Sequence, residues 1–119
     1  MDKSNKNKIT EIDPLHPKSM TEVFELIRKK PAMYLGRKSL HDFNSWLDGF
    51  SYALKIIDDN EFKIDVDLVS FDKFVQEKYD WHDVGGWLYK IKYRYRDEAD
   101  AFDEFFRLYD EFQLMNNKE

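Results

Sequence analysis

The chain has no cysteine, only four glycines and three prolines among 119 residues, and no apolar run longer than a few positions. Without cysteine there is neither a disulfide framework nor a thiolate nucleophile. So few glycines and prolines do not suit an all-β sandwich, which must turn repeatedly. The short apolar runs exclude a bilayer-spanning helix, which needs about 20 consecutive apolar residues. Residues 1–8 are polar, with no apolar core of a signal peptide behind them. A basic surface is also lacking. The formal net charge is −5, which argues against nucleic acid as the main partner, because phosphate neutralisation takes a basic face. These absences lead us to expect a cytoplasmic protein.

What the chain does have is aromatic bulk: ten Phe, seven Tyr and three Trp. That is ample material for one buried core at this length. Residues 1–18 carry Lys3, Lys6 and Lys8 among Ser and Asn, with Pro14 and Pro17, and read as a flexible tail ordered only where Ile9, Ile12 and Leu15 meet a surface. Residues 19–115 read as a single helical domain. Ser19 with Glu22 makes a capping box, and Met20, Val23, Phe24 and Ile27 share one face. Arg28, Lys29 and Lys30 suit a helix C-terminus, and Pro31 ends the helix there. Met33, Tyr34 and Leu35 then fold back, and Gly36 is expected at positive φ.

Ser39 and Asp42 repeat the start signal, and Leu40, Phe43, Leu47, Phe50, Leu54 and Ile57 follow at helical spacing. A shorter helix is expected from Ser70, carrying Phe71, Phe74, Val75 and Tyr79. Asp97 caps a last helix whose face is Ala101, Phe102, Phe105, Tyr109 and Phe112. The segment 87–95 is ambiguous. Trp87, Tyr89, Ile91, Tyr93 and Tyr95 alternate like a strand, yet Trp87, Leu88, Ile91 and Tyr95 also fit a helical face. A strand here would pair only with 62–68, as a marginal two-stranded hairpin, so helix is preferred. The expected fold is an all-α, compact, single-domain bundle of four to five helices, near 20–30, 40–58, 71–79, 86–95 and 98–114. Its expected core is Phe24, Ile27, Leu47, Phe50, Leu54, Phe74, Trp87, Ile91, Phe102 and Phe105.

No constellation points to catalysis. His16, His41 and His82 share no metal-ligand spacing, so neither metal nor cofactor is expected, and the chain reads as a non-enzyme. The acids of the last helix stand at spacings that any solvated helix face carries. The run Lys90, Lys92, Arg94 and Arg96 interleaves cations with tyrosines, the composition of a single-stranded nucleic-acid platform. It equally fits a half-buried element whose tyrosines pack inward, and the acidity of the whole favours that reading.

The string Arg28-Lys29-Lys30-Pro31-Ala32-Met33-Tyr34-Leu35-Gly36 is similar to one near the start of the ATPase domain of the DNA gyrase B subunit. The acidic residue and Gly-x-Gly lid motif of that domain do not follow, and ATPase activity is not expected. A longer resemblance spans most of 19–113. It takes in Ile27 to Gly36 as Ile-Arg-Lys-Lys-Pro-x-Met-Tyr-Leu-Gly, then Ser39, Leu40, Phe43, Leu47, Gly49 and Phe50. Phe71, Phe74, Val75 and Tyr79 come next, followed by Gly86, Trp87 and Ile91, and then by Glu98, Ala101, Phe102, Phe105, Phe106 and Leu108. In these positions the chain resembles a largely uncharacterised family of small bacterial helical proteins, similar to the immunity proteins of polymorphic and contact-dependent toxin systems. The resemblance implies a compact helical fold and an immunity or antitoxin role, the partner being a cognate toxin domain.

Residues 97–111 contain seven acids, Asp97, Glu98, Asp100, Asp103, Glu104, Asp110 and Glu111, against Arg107 as the one base. An acidic inhibitor suits a basic toxin such as a nuclease, since charge complementarity speeds association. The expected contact surface is therefore Asp100, Asp103, Glu104, Asp110 and Glu111, with exposed aromatics at its edge. The alternative is a nucleic-acid-binding or regulatory protein acting through 89–96.

Overall fold

The computed structural model describes residues 11–57 and 61–117. Among them are six helices: α1 (Met20–Lys29), α2 (Pro31–Leu35), α3 (Leu40–Ile56), α4 (Leu68–Tyr79), α5 (Trp87–Arg94) and α6 (Glu98–Asn117). The long α6 is the central post: α3, α4 and α5 pack on it, and α2 links α1 to α3.

Local chemistry sets the boundaries. Ser19 Oγ accepts the Glu22 N–H at 3.2 Å, and the Glu22 carboxylate reaches back to the Lys18 N–H at 2.9 Å. Pro31 opens α2 at its first position, where its missing N–H costs nothing. Gly36 closes α2 with φ +87°, its N–H donating to the Ala32 carbonyl at 2.9 Å. Ser39 caps α3 through the Asp42 N–H at 3.1 Å. Asp97 caps α6 through the Asp100 N–H at 3.0 Å.

The all-α expectation holds, with differences of detail. Six helices stand where four to five were expected, because 31–35 winds into a helical turn of its own. The fourth helix starts at Leu68 rather than Ser70, since Asp67 caps it by accepting the N–H groups of Val69 and Ser70. The hairpin between 62–68 and 87–95 does not form. Residues 87–94 are helical, which turns Ile91 and Lys90 inward and sets Tyr89 and Tyr93 one turn apart. Lys63 pairs instead with the start of α1, in an isolated parallel bridge to Ser19. Of the expected tail, residues 1–10 lie outside the described residues. So do 58–60, just past the end of α3, which stops at Ile56 rather than 58, and 118–119. No described helix is long and apolar enough to cross a membrane.

The core is aromatic. Phe24, Phe43, Phe71 and Phe105 are fully buried, and α1 buries Met20, Val23, Phe24 and Ile27, the face read from spacing alone. Phe43 touches Phe24 and Phe105, both at 5.3 Å between ring centroids, and Phe105 meets Phe71 at 5.2 Å. Four residues expected in the core, Phe50, Leu54, Phe74 and Trp87, are only partly buried at its margin. Leu40, Phe43, Val66, Phe71, Val75, Ala101, Phe106, Leu108, Tyr109 and Phe112 complete the interior instead.

Candidate partner-binding trough

One stripe of α6 stays outside. Positions 100, 103, 107 and 110 recur at three and four residues, so they line one side of the helix while Phe102, Phe105, Phe106 and Tyr109 fill the other. Along that stripe lie adjoining hollows. One of about 300 Å³ is lined by Arg28, Phe102, Asp103, Phe106, Arg107 and Asp110. The next, about 250 Å³, shares Asp103 and Arg107 with it and adds Tyr95, Asp100 and Glu104. The third, about 620 Å³, shares Tyr95 and continues over Tyr79, Asp80, Trp81, Tyr93 and Arg94. Together they form an open trough, acidic along α6 and aromatic where α4 and α5 end. From Asp100 to Asp110 the α6 portion alone runs about 15 Å.

The acids in the trough are not equivalent. Asp100 is exposed and makes no ion pair among the described residues. Asp103 pairs with Lys38 at 2.8 Å and Asp110 with Arg28 at 2.7 Å, both carboxylates remaining more than half exposed. Pairs of that kind contribute roughly 0–1 kcal/mol, so a partner's cations can replace Lys38 or Arg28 at little cost. Glu111 is held between Lys78 and Arg107, each at 2.7 Å, and their cations keep its carboxyl below the ordinary range. Glu104 differs from the rest. It is only 5% exposed, accepts from the Tyr79 hydroxyl at 3.0 Å and is gripped by Arg107 Nε and Nη2 at 2.8 and 2.6 Å. Its grip holds the Arg107 guanidinium more firmly protonated, while burial and then the Glu104 hydrogen bond push the Tyr79 hydroxyl up. Of the five acids expected at the contact surface, Glu104 thus braces the trough floor from within, and Glu111 lies beside the lining at its paired edge.

Exposed aromatics were expected at the edge of this surface, but which ones was not read from the sequence. Trp81 lies 5.2 Å from Tyr93 and 5.8 Å from Tyr89 between ring centroids, and Tyr89 and Tyr93 are more than half exposed. The available signal was the i, i+4 spacing of the two tyrosines on a helix. The cations of the alternative nucleic-acid platform are dispersed. Lys90 is buried, Lys92 pairs with Glu98 at 2.9 Å, and the Arg94 guanidinium lies 4.4 Å over the Tyr79 ring. Among the described residues no three His, Asp or Glu side chains gather as metal ligands would. The histidines stand apart: His16 beside Asp13 at 3.1 Å, His82 beside Asp80 at 3.6 Å, and His41 exposed.

Outside the trough lining, Glu98 ties three helices together. It accepts from Ser39 Oγ at 3.2 Å, from the His41 N–H at 2.8 Å and from Lys92 at 2.9 Å, joining α3, α5 and α6. Desolvation works to raise its pKa, but the His41 N–H and Lys92 outweigh it and the carboxyl titrates below the ordinary range. No protein-family model, curated protein or solved structure matches the chain.

Proposed function

We propose that the protein is an immunity- or antitoxin-type inhibitor that acts in the bacterial cytoplasm by stoichiometric binding to a cognate toxin domain, with no catalysis of its own. The observation that carries this reading is the trough, which joins the acidic stripe of α6 to half-buried Trp81 and exposed Tyr93. Trp, Tyr and Arg dominate the energetics of protein interfaces. Exposed carboxylates around them steer a basic partner in and select its orientation. The resemblance over 19–113 points to the same role, and a nuclease is the toxin whose basic substrate-binding cleft best complements Asp100, Asp103 and Asp110.

The test is co-expression with the product of the neighbouring gene. The expected result is a one-to-one complex and protection of cells making the toxin. Asp100→Lys with Asp110→Lys should slow association at unchanged thermal stability, and Trp81→Ala should speed dissociation. Salt-sensitive binding to single-stranded nucleic acid, abolished by Lys92→Glu and Arg94→Glu and accompanied by no protein complex, would instead establish the nucleic-acid reading.

A further inference from the structure

The loop 80–86 that carries Trp81 has little of its own to hold it. His82, Asp83, Val84, Gly85 and Gly86 are all exposed, Val84 at 92%. Its backbone also departs from the easy regions, with Asp80 at φ +51° and Gly85 at φ +106°. At Gly85 a β-carbon would come within 2.8 Å of the Tyr89 ring, so the chain lies directly against that side chain. Trp81 is tied back by its backbone N–H to the Gln76 carbonyl at 3.0 Å and by its ring against Tyr89 and Tyr93. Beyond Trp81, a side chain of α5 bonds the loop's main chain. Lys90 Nζ donates to the Asp83 carbonyl at 3.0 Å and to the Gly85 carbonyl, and stands 5.8 Å from the Trp81 ring centroid.

Lys90 is an unusual choice for that place. It is 0% exposed and takes part in no ion pair among the described residues. It sits in the first turn of α5, where side chains lean back toward the N-terminus and so into the preceding loop. A cation there opposes the helix dipole, and a buried charge without a counter-ion is costly. Replacing it with an apolar side chain of similar shape removes that desolvation cost, and the carbonyls it frees, on exposed Asp83 and Gly85, can turn to water. Stability therefore gives no reason for an ammonium at this position, whereas its donors, aimed at main-chain carbonyls, do.

We infer that Lys90 is a positioning residue: its buried ammonium fixes the 80–86 loop by two carbonyls, so that Trp81 is presented ready-made at the aromatic end of the trough. A preformed aromatic anchor binds without losing conformational freedom on contact, which strengthens affinity. The step from an ordered loop to tighter binding rests on the docking reading above; the ordering itself does not.

The experiment is NMR on the 15N-labelled full chain, with the Trp81 indole resonance assigned by its disappearance in Trp81→Phe. In Lys90→Met the helical content and thermal midpoint should be kept or raised. The Trp81 indole should move toward the position of a solvated tryptophan, and the Trp81 amide, which donates to the Gln76 carbonyl, should exchange at least about tenfold faster. Lys90→Arg, which keeps charge and donors, should restore much of the wild-type pattern. An unchanged Trp81 resonance and unchanged exchange in a folded Lys90→Met protein would overturn the inference. So would global unfolding of that variant, which would make Lys90 a residue of stability. With the toxin in hand, Lys90→Met should raise the dissociation rate about tenfold at unchanged association rate. Absence of any complex with the wild-type chain would refute the docking reading and leave the loop measurement standing.

Discussion

The two halves of α3 are built from the same kind of sequence and meet different fates. The N-terminal half buries Leu40, Phe43 and Leu47 and is capped by Ser39. The C-terminal half carries Phe50 and Leu54 only partly covered, with Tyr52, Ile56 and the C-cap residue Ile57 exposed by 60% or more. Periodicity does not separate them. What separates them is α6, whose Phe102, Phe105 and Phe106 lie against Phe43. Among the described residues Phe50 has only Trp46 and Phe62 as ring neighbours, at 4.9 and 5.7 Å. An amphipathic stripe states which face seeks cover; the partner's reach decides how much of the stripe is covered.

The sharpest test of this contrast is a pair of truncations. Phe43→Ala should cost roughly 3–5 kcal/mol, measured by denaturant unfolding, and Phe50→Ala roughly 1–2, because its site is open to relaxation and water. Equal losses would erase the distinction between the halves. Next in size is the turn that leads into the buried half. Gly36 has open space where a β-carbon would stand, so Gly36→Val should destabilise through backbone strain alone, by more than roughly 1 kcal/mol, and Gly36→Asn by less than half as much.

Glu98 clamps the same end of α3. Its folded pKa lies below the unfolded value, so its stabilisation is present above the unfolded pKa and is lost as pH falls through the folded one. Glu98→Gln should therefore lower stability by roughly 1 kcal/mol near neutral pH. The thermal midpoints of variant and wild type should converge in acid; a pH-independent gap would assign the loss to packing. The smallest effect belongs to the exposed half: Ile56→Lys should shift stability by no more than about 0.5 kcal/mol. A larger loss would mean that this end of α3 is covered in solution.

Short-range rules were the legible part of this fold. The caps at Ser19, Ser39 and Asp97, the stop at Pro31, the positive φ of Gly36 and the buried face of α1 all follow from interactions within a few residues. The all-α class followed from them. Segment 87–95 was harder because its alternation and its helical spacing share Trp87, Ile91 and Tyr95, and the absence of a partner strand is not local information. The trough was half legible. The acid stripe at 100, 103 and 110 showed in the spacing, but Lys38 and Arg28 reach it from other helices. Glu104 reads in sequence as one more solvated acid and becomes a buried brace only because Tyr79 arrives from α4. Lys90 gave no warning, since a lysine amid tyrosines is by default exposed.

The bridge between Ser19 and Lys63 bears on how the molecule carries mechanical load. The Lys63 N–H donates to the Lys18 carbonyl at 3.0 Å, and the Met20 N–H donates to the Lys63 carbonyl at 2.9 Å. A pull on the chain ahead of Lys18 therefore meets this two-bond clasp at the threshold of α1. Through Lys63 the tension passes to Phe62 on Phe50 and to buried Val66, two anchorages outside the helix. The clasp works as a strain relief, so that a fusion or surface tether joined upstream tugs on the clasp before it unwinds the capped first turn.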